Sequence, residues 1–222
     1  NSIVSALIMP IIAFVGAGIS AFIIYKLSSN KKNGFSPINL VLTGVAMQAG
    51  LSALTTILVV KLDETQFNFV MSWQAGSIWA SNYKFVLIIF LSLVIILPFI
   101  FKKSEILDLL NLSDEVSKGL GLDVELEQKK ILLASVFLAA SSVAVGGNIS
   151  FVGLISPHLA RKLVGPRHEK LLPTAAFVGA ILVLLADTIG RSIIQPLEVP
   201  TGIVVAIVGA PYFIYLLCKK RS

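Results

Sequence analysis

The sequence has little charge and only one cysteine. Of its 222 residues, 14% are charged and 56% are hydrophobic. Water-soluble domains carry roughly 25% charged residues, so this composition excludes an ordinary globular domain. It also excludes disordered, collagen-like and coiled-coil chains, because these need polar or periodic sequences. A single cysteine excludes a disulfide scaffold and cysteine-based zinc or redox motifs. The class that remains is a polytopic membrane protein.

Motifs for nucleotide binding and hydrolysis are also absent. No G-x-x-x-x-G-K-[ST] run occurs, so the chain has no P-loop of its own. His168-Glu169 begins like a zinc-protease motif, but Leu172 stands where the second histidine is required. There is no G-x-S-x-G nucleophile elbow. We therefore expect no catalytic residues, no metal site and no cofactor bound by this chain.

Ionisable residues are scarce inside the apolar runs. Asp187 is the exception, and its spacing of four residues from Arg191 favours a local ion pair. Transporters driven by ion gradients need charged groups deep in the membrane, so a secondary transporter is poorly supported. A channel would be indicated by a ring of charges or a TVGYG-like filter, and the sequence has neither. His158 has no partner at metal-ligand spacing, and we expect a structural histidine that is hydrogen-bonded near its helix.

The sequence does contain a series of long apolar runs. Several reach the roughly 20 residues that a helix needs to cross the hydrocarbon core of a bilayer. Unpaired backbone groups exclude open strands and coil in that environment. We predict membrane helices over six runs: 3–25, 38–60, 85–101, 131–145, 171–189 and 202–217.

The 18 basic residues predict how these helices are oriented. Fifteen of them fall in four clusters, and Lys61, Lys84 and Arg191 stand apart. Because cytoplasmic loops carry the excess of lysine and arginine, the clusters predict cytoplasmic segments and a cytoplasmic C-terminus. The net charge of +6 therefore reflects topology in a multi-pass membrane protein, and a nucleic-acid partner is disfavoured.

The same rule indicates a hidden membrane segment. Loops 102–130 and 161–170 are both basic, so an even number of passes must separate them. Run 131–145 supplies one pass, and Gly146-Gly147-Asn148 predicts a reversal. The return, 149–160, is too short to span as a helix and predicts a half-helix fed by irregular backbone. Such backbone is tolerated in a membrane only where protein buries it or it lines a cavity, so 146–160 is a candidate functional segment.

Two loops carry further signals. The outer loop 63–84 holds Trp73, Trp79 and Tyr83, which favour an interfacial aromatic belt, a short external helix at the mouth of a pathway, or both. The inner loop 102–130 holds seven of the twelve acidic residues and predicts a pair of short amphipathic helices. Ser113 is its candidate N-cap, and Gly119 or Gly121 its candidate C-cap. This loop is either a solvated connector or a surface that a soluble partner binds.

At the half-helix the sequence resembles a known family. Residues 147–161 resemble the G-x-I-x-F-V-G-L-x-x-P-H-x-x-R signature of the FecCD family, the permeases of iron-siderophore and vitamin B12 importers of the ATP-binding cassette class. The motif residues are Phe151, Gly153, Pro157, His158 and Arg161. The resemblance continues through segments 165–168, 172–173, 179–180, 186–187, 191, 198–202 and 209–213, and more weakly through 42–46 and 73–77.

The resemblance implies an all-α polytopic helical bundle with the vitamin B12 permease fold. About seven membrane segments, one of them the half-helix, would form a single transmembrane domain over 1–222. The family fold has ten membrane helices, so we expect that the N-terminal third is absent from this sequence. The loop 102–130 would be a cytoplasmic coupling loop within that domain.

The resemblance also implies roles for particular residues. The helix matching 38–60 would line a translocation pathway, with polar candidates Gln48, Ser52, Thr55 and Thr56; packing or backbone hydrogen bonding is their alternative role. The family's ATPase-coupling helices match 106–122. The candidates there are Ser113, Asp114, Glu115, Leu120 and Gly121, although Ser113 and Ser117 replace the usual glycine and alanine of the L-G-x-x-x-A-x-x-L-G pattern. Arg191 and Glu198 would belong to an outer surface for a substrate-binding protein.

The implied function is that of a permease subunit that imports iron(III)-siderophore across the cytoplasmic membrane. Its implied partners are a second permease subunit, two ATPase subunits that use ATP, an extracytoplasmic binding protein and the lipid bilayer. A vitamin B12 or haem importer of the same family is the alternative. An intramembrane enzyme or a secondary transporter is a less favoured alternative.

Overall fold

The computed structural model describes residues 2–30, 34–35, 37–78, 83–112, 114–193 and 198–219. The elements are α1 (Ser2–Ser28), β1 (Ser29–Asn30), β2 (Gly34–Phe35), α2 (Pro37–Val59), α3 (Glu64–Ala75), α4 (Tyr83–Lys102), α5 (Ser104–Leu110), α6 (Asp114–Gly119), α7 (Val124–Gly146), α8 (Val152–Val164), α9 (His168–Ile193) and α10 (Thr201–Lys219). The described part is therefore a helical bundle, and the predicted all-α class is confirmed.

The six predicted membrane helices correspond to α1, α2, α4, α7, α9 and α10. Among the described residues, α1, α2, α7 and α9 are long and apolar enough to cross a membrane, whereas α4 and α10 contain shorter apolar helical stretches. Predicted and observed boundaries differ most at α7, which begins seven residues before the apolar run. Asp123 explains this early start, because its carboxylate caps α7 by accepting from the Leu126 N–H at 3.1 Å.

A small β pair was not predicted. Ser29 pairs with Phe35 and Asn30 with Gly34 in antiparallel register, directly after α1. A two-residue pairing has too few residues for a period-two hydrophobic pattern, so the sequence carries no strand signal there. The pair brings the end of α1 and the approach to α2 together without adding a sheet to the fold.

Small side chains dominate the buried positions of the described helices. Ala134, Ala140, Ala160 and Ala186 are buried, whereas large apolar residues such as Phe22 and Phe177 are exposed. This inversion of a water-soluble core is expected in a bilayer, where close backbone packing by small residues brings helices together and lipid accepts the large side chains. The packing is densest where α8, α9 and α10 meet, around Ala186, Val204 and Val205.

The predicted amphipathic helix pair in loop 102–130 is present as α5 and α6. Ser113, its candidate N-cap, lies outside the described residues. Gly121 ends the pair with a φ of +83°, while the Gly121 N–H donates to Lys118 O and the Leu122 N–H to Ser117 O. These two bonds form a Schellman motif, which needs a residue that adopts the left-handed conformation without strain. Gly121 is therefore the capping glycine and Gly119 is the last residue of α6.

Three glycines allow three chain segments to pack backbone against backbone. Gly76 follows α3, Gly147 lies in the α7–α8 reversal, and Gly202 begins α10. A Cβ added at Gly76 would lie 2.7 Å from Asn148 O, and one at Gly147 or Gly202 would come closer than 3.0 Å to a carbonyl oxygen of α3. The Gly202 N–H donates to Gly76 O at 2.9 Å. We call residues 76, 147 and 202 the glycine junction.

Substitution at the glycine junction should destabilise the fold. In Gly202→Ala the added methyl would overlap the Ala75 carbonyl group, which belongs to the backbone and cannot swing aside. We expect the free energy of unfolding to fall by about 1–3 kcal/mol, the usual cost of overpacking. Thermal unfolding in detergent, followed by tryptophan fluorescence, measures the change. Gly119→Ala is the matched control, because a Cβ there meets no atom within 4 Å. Equal melting temperatures for the two variants would contradict the tight junction.

Candidate functional site

The predicted half-helix is present as α8. Its 13 residues rise about 20 Å, short of the roughly 30 Å of hydrocarbon in a bilayer. It begins three residues later and ends four residues later than the predicted 149–160. The later start arises at Phe151, which has a φ of +64° and is the only non-glycine residue in the described part with positive φ. A bulky residue in that conformation is strained, so the surrounding packing must hold it.

Phe151 is held by close packing against α10. A Cβ added at Gly209 of α10 would lie 2.7 Å from the Phe151 Cβ, so only glycine at 209 lets the side chain sit there. Phe151 also packs against the buried cluster of Ala186, Val204 and Val205. The motif phenylalanine thus fixes where the irregular backbone ends and the half-helix begins.

The other motif residues take separate positions along α8. Gly153 and Pro157 are exposed, and Arg161 is exposed in the last turn, where its carbonyl accepts from the Gly165 N–H. The expectation for His158 was wrong in part. Its Nε2 is buried without a hydrogen-bond partner among the described residues, and its ring faces the Tyr212 ring edge-on at 6.3 Å. The sequence interpretation assumed a polar neighbour, whereas the neighbouring residue on α10 presents an aromatic ring.

An open cavity of about 970 Å³ has walls from α1, α2 and α3 and from the start of the α7–α8 reversal. Its lining includes all four residues predicted for a pathway: Gln48, Ser52, Thr55 and Thr56. Glu64 is the only ionisable side chain among the described lining residues. The structure thus brings the four polar candidates onto one nearly uncharged surface, while their role in translocation stays a prediction.

The two threonines also show the alternative role that the sequence left open. The Thr55 hydroxyl donates to Leu51 O at 2.8 Å, and the Thr56 hydroxyl donates to Ser52 O at 2.9 Å. A hydroxyl has one hydrogen, so while these bonds persist each oxygen can offer the cavity only acceptor lone pairs. The same side chains therefore satisfy helix carbonyls and leave acceptors available at the cavity wall.

The cavity wall also includes residues from two segments that carry the family resemblance. Trp73 and Gln74 come from α3, and Asn148 comes from the α7–α8 reversal. Sequence reasoning considered an external helix at a pathway mouth and named Trp73, but it missed Gln74 and Asn148 as lining residues. Both lie in segments that carry the family resemblance, which was the available signal. Trp79, the other tryptophan of that loop, lies outside the described residues.

The C-terminal end of α9 carries the predicted ion pair. Arg191 Nε lies 2.8 Å from Asp187 Oδ2, and the Thr201 hydroxyl donates to Asp187 Oδ1 at 3.0 Å. Thr201 begins α10 and is only 1% exposed. Asp187 Oδ1 thus links the end of α9 to the start of α10, while Oδ2 pairs with Arg191 on the same helix. Glu198, the other candidate for docking, is exposed just before α10.

The predicted coupling residues lie around α5 and α6. Glu115 is exposed, Leu120 is 63% exposed, and Asp114 begins α6. Ser117 stands where the resemblance expects alanine. Its hydroxyl is buried and donates to Leu109 O at 2.8 Å, which ties α6 to α5.

The α5–α6 pair is anchored to two membrane helices. Lys103 Nζ lies 2.7 Å from Glu127 Oε2 of α7, and the other oxygen of Glu127 contacts Lys130 at 2.9 Å. Asp108 of α5 contacts His168, the first residue of α9. Sequence reasoning missed both anchors, because nothing in the local spacing pairs residues that are 24 or 60 positions apart.

Asp108 is ionised at neutral pH. Partial burial opposes the charge, but hydrogen bonds from the His168 ring and backbone, with the positive charge of Arg167 nearby, outweigh it and lower the pKa of the carboxyl group. Among the described residues, no group of three histidine, cysteine or acidic side chains is placed to hold a metal ion.

Comparison with known proteins identifies related permeases. The chain is 46% identical over 213 residues to the iron(3+)-hydroxamate import system permease protein FhuG of Bacillus subtilis, covering 96% of this chain and 63% of that protein. It is 37% identical over 215 residues to the Fe(3+) dicitrate transport system permease protein FecD of Escherichia coli, covering 97% and 66%. The chain thus spans about two thirds of the length of these relatives.

A solved structure has the same fold. It is described as an inward-facing conformation of a metal-chelate type transporter of the ATP-binding cassette class. The match has a TM-score of 0.77 and 35% identity, and it covers 83% of this chain and 62% of the other. Several apolar helices and this match make the chain a multi-pass membrane protein with a permease fold. A sequence model of the FecCD transport family matches residues 2–219, and the chain belongs to that family.

Proposed function

We propose that this chain is the permease subunit of an importer of the ATP-binding cassette class that moves ferric siderophores across the cytoplasmic membrane. The observation that carries the proposal is the cavity formed by α1, α2, α3 and the α7–α8 reversal, with Gln48, Ser52, Thr55 and Thr56 on its wall. The family of the chain and the names of its relatives supply the substrate class. Residues 1–222 would form one transmembrane domain, with 102–130 as its coupling loop.

The chemistry of the cavity suits a bulky chelate in transit. Its volume of about 970 Å³ is at the upper end of ordinary ligand sites. Hydroxyl and amide groups on the wall can exchange hydrogen bonds with the polar exterior of a chelate. With Glu64 as the only ionisable described lining residue, no strong charge would hold the chelate in place. A transport pathway needs this balance, because substrate must enter and must also leave.

The partners divide the work between the two faces of the membrane. A binding protein would deliver the chelate to the outer surface near Arg191 and Glu198. A second permease subunit would complete the pathway. Two ATPase subunits would bind the permease pair at the cytoplasmic face, where α5 and α6 of this chain would form the contact. ATP binding and hydrolysis would then shift the population between outward-open and inward-open states. The chain itself would catalyse no covalent step, and its C-terminus would lie in the cytoplasm.

Transport should require ATP and should favour ferric hydroxamates. We expect proteoliposomes that hold the assembled transporter, supplied with its binding protein, to take up a radioiron-labelled ferric hydroxamate only when ATP is present. Excess unlabelled ferric hydroxamate should compete strongly, while cobalamin and haem should not. Uptake that runs on a proton or sodium gradient without ATP would contradict the proposal. Preferential competition by cobalamin or haem would move the substrate to that chelate.

A negative charge on the exposed face of the coupling loop should uncouple hydrolysis from uptake. Leu120 is 63% exposed, so Leu120→Asp should leave the fold intact while placing a charge where an apolar contact with the ATPase is proposed. We expect a loss of uptake of tenfold or more, roughly the effect of 1.4 kcal/mol or more at a contact. The Leu120→Asp variant should still insert normally into the membrane. Leu163→Asp is the control, because this leucine at the end of α8 is similarly exposed, at 68%. Unchanged uptake per ATP hydrolysed in Leu120→Asp would remove this loop from coupling.

Docking of the binding protein should depend on the charge of Arg191. Arg191→Gln removes that charge without placing a second carboxylate beside Asp187. We expect several-fold weaker association with the binding protein and a weaker dependence of the remaining affinity on salt, because a steering charge is lost. A Kd series across salt concentrations measures both. Lys61→Gln, the same charge change at another basic residue predicted to face outward, is the control. Identical affinity and salt slope in Arg191→Gln and wild type would exclude Arg191 from docking.

A further inference from the structure

The contact between Asp108 and His168 joins the coupling loop to a membrane helix. Asp108 Oδ1 accepts from the His168 backbone N–H at 3.0 Å and lies 2.5 Å from His168 Nδ1. The His168 side chain is 13% exposed and that of Asp108 is 38% exposed. One carboxylate oxygen therefore binds both the backbone and the side chain of the first residue of α9.

This contact involves more than an ion pair between two side chains, because the carboxylate also accepts from a backbone N–H. The first backbone N–H groups of a helix have no partner within the helix, and a carboxylate there also meets the positive end of the helix dipole. An ionised aspartate can only accept, so the imidazole Nδ1 must carry the hydrogen of the second bond. The contact thus holds at either charge state of the histidine, with the proton on Nδ1 in both.

The helix pair on the other side of this contact is joined by a buried hydrogen bond. The buried Ser117 hydroxyl ties α6 to Leu109 O of α5, one residue from Asp108. The start of α5 is tied to α7 through Lys103 and Glu127. Movement of α5 can therefore pass to α7 through Lys103–Glu127 and to α9 through Asp108–His168, where α5 also packs against α9.

The helix that receives this contact reaches the opposite face. With 26 residues, α9 rises about 39 Å, enough to cross the hydrocarbon core. Asp187 and Arg191 lie near its far end, and Asp187 is bonded there to Thr201 of α10. Along its length α9 packs against α8 and α10, which meet at Phe151 and Gly209. A shift of the His168 end of α9 would therefore reach the half-helix through this packing and α10 through the bond between Asp187 and Thr201.

We propose that Asp108 and His168 are a positioning pair that transmits movement of the coupling helices α5 and α6 to α9. The proposal rests on the proposed function, in which those helices bind the ATPase. Neither side chain would touch the chelate or ATP. Loss of the pair should leave the ATPase bound and active but reduce the movement that each hydrolysis event delivers to the bundle.

The deciding quantity is the amount of chelate imported per ATP hydrolysed. It is measured in proteoliposomes with the assembled transporter, its binding protein and a radioiron-labelled ferric hydroxamate. We expect Asp108→Ala and His168→Ala each to lower this ratio at least fivefold, with ATPase affinity and ATP hydrolysis within twofold of wild type. The double variant should be no worse than either single variant, because the two residues act through one contact.

Two further variants separate transmission from simple support of the fold. In Asp108→Asn the amide oxygen can still accept from the His168 N–H, so the ratio should recover to within about twofold of wild type. Glu169→Ala removes a carboxylate from the same helix terminus, where Glu169 is exposed beside His168, and should leave the ratio unchanged. This control accounts for the loss of negative charge near the helix dipole.

The outcomes are distinct. A normal ratio in folded Asp108→Ala would overturn the proposal while leaving the import function standing. A lower ratio that is matched by lost ATPase binding, or single effects that add fully in the double variant, would also overturn it. If wild type imports no ferric hydroxamate with ATP, the proposed function has failed, and that result appears before any variant is compared.

Discussion

The backbone between α7 and α8 imposes the main constraint on this molecule. Residues 147–151 are not helical, and unpaired peptide groups are costly in the interior of a membrane protein. Short local bonds satisfy part of the segment, from the Ile149 N–H to Gly147 O and from the Val152 N–H to Ser150 O. The rest of segment 147–151 is enclosed at the glycine junction, where neighbouring segments come close because glycine has no side chain. The half-helix, the position of α3 and the start of α10 all follow from enclosing this segment.

Enclosure of that segment also creates the cavity. Because α3 ends against the reversal, Trp73, Gln74 and Asn148 form part of the wall that faces the polar side of α2. An irregular backbone is tolerated at membrane depth where it borders a cavity, and here the same residues serve both needs. A larger residue in the junction would push α3 away from the reversal. Stability of the fold and shape of the cavity are therefore coupled at the same few positions.

The sequence predicted the parts of this arrangement that depend on local pattern. Apolar runs and basic clusters indicated the helices, and the parity of two basic loops located the half-helix. The i,i+4 spacing predicted the Asp187–Arg191 pair, and of the two glycines considered as a helix cap Gly121 is the correct one.

Contacts between distant segments could not be predicted in this way. Asp108 and His168 are 60 residues apart, and the strained φ of Phe151 depends on Gly209 of another helix. His158 was assigned a hydrogen bond because polar groups usually have one, yet its ring faces that of Tyr212.

Under the proposed function, the scarcity of charge explains why the work must come from outside the chain. A cavity with Glu64 as its one ionisable residue among the described lining offers few groups whose charge could couple the affinity for a chelate to a proton or sodium gradient. A ligand that binds the outward-open and inward-open states equally does not shift the equilibrium between them. Walls with so little charge give the chelate few contacts that could differ between the two states, and therefore little power to drive the transition. Free energy must then enter at the cytoplasmic helices and travel through rigid elements. Because α9 is bonded to Asp108 at its start and carries Asp187 and Arg191 near its end, it can carry that energy from one face of the bundle to the other.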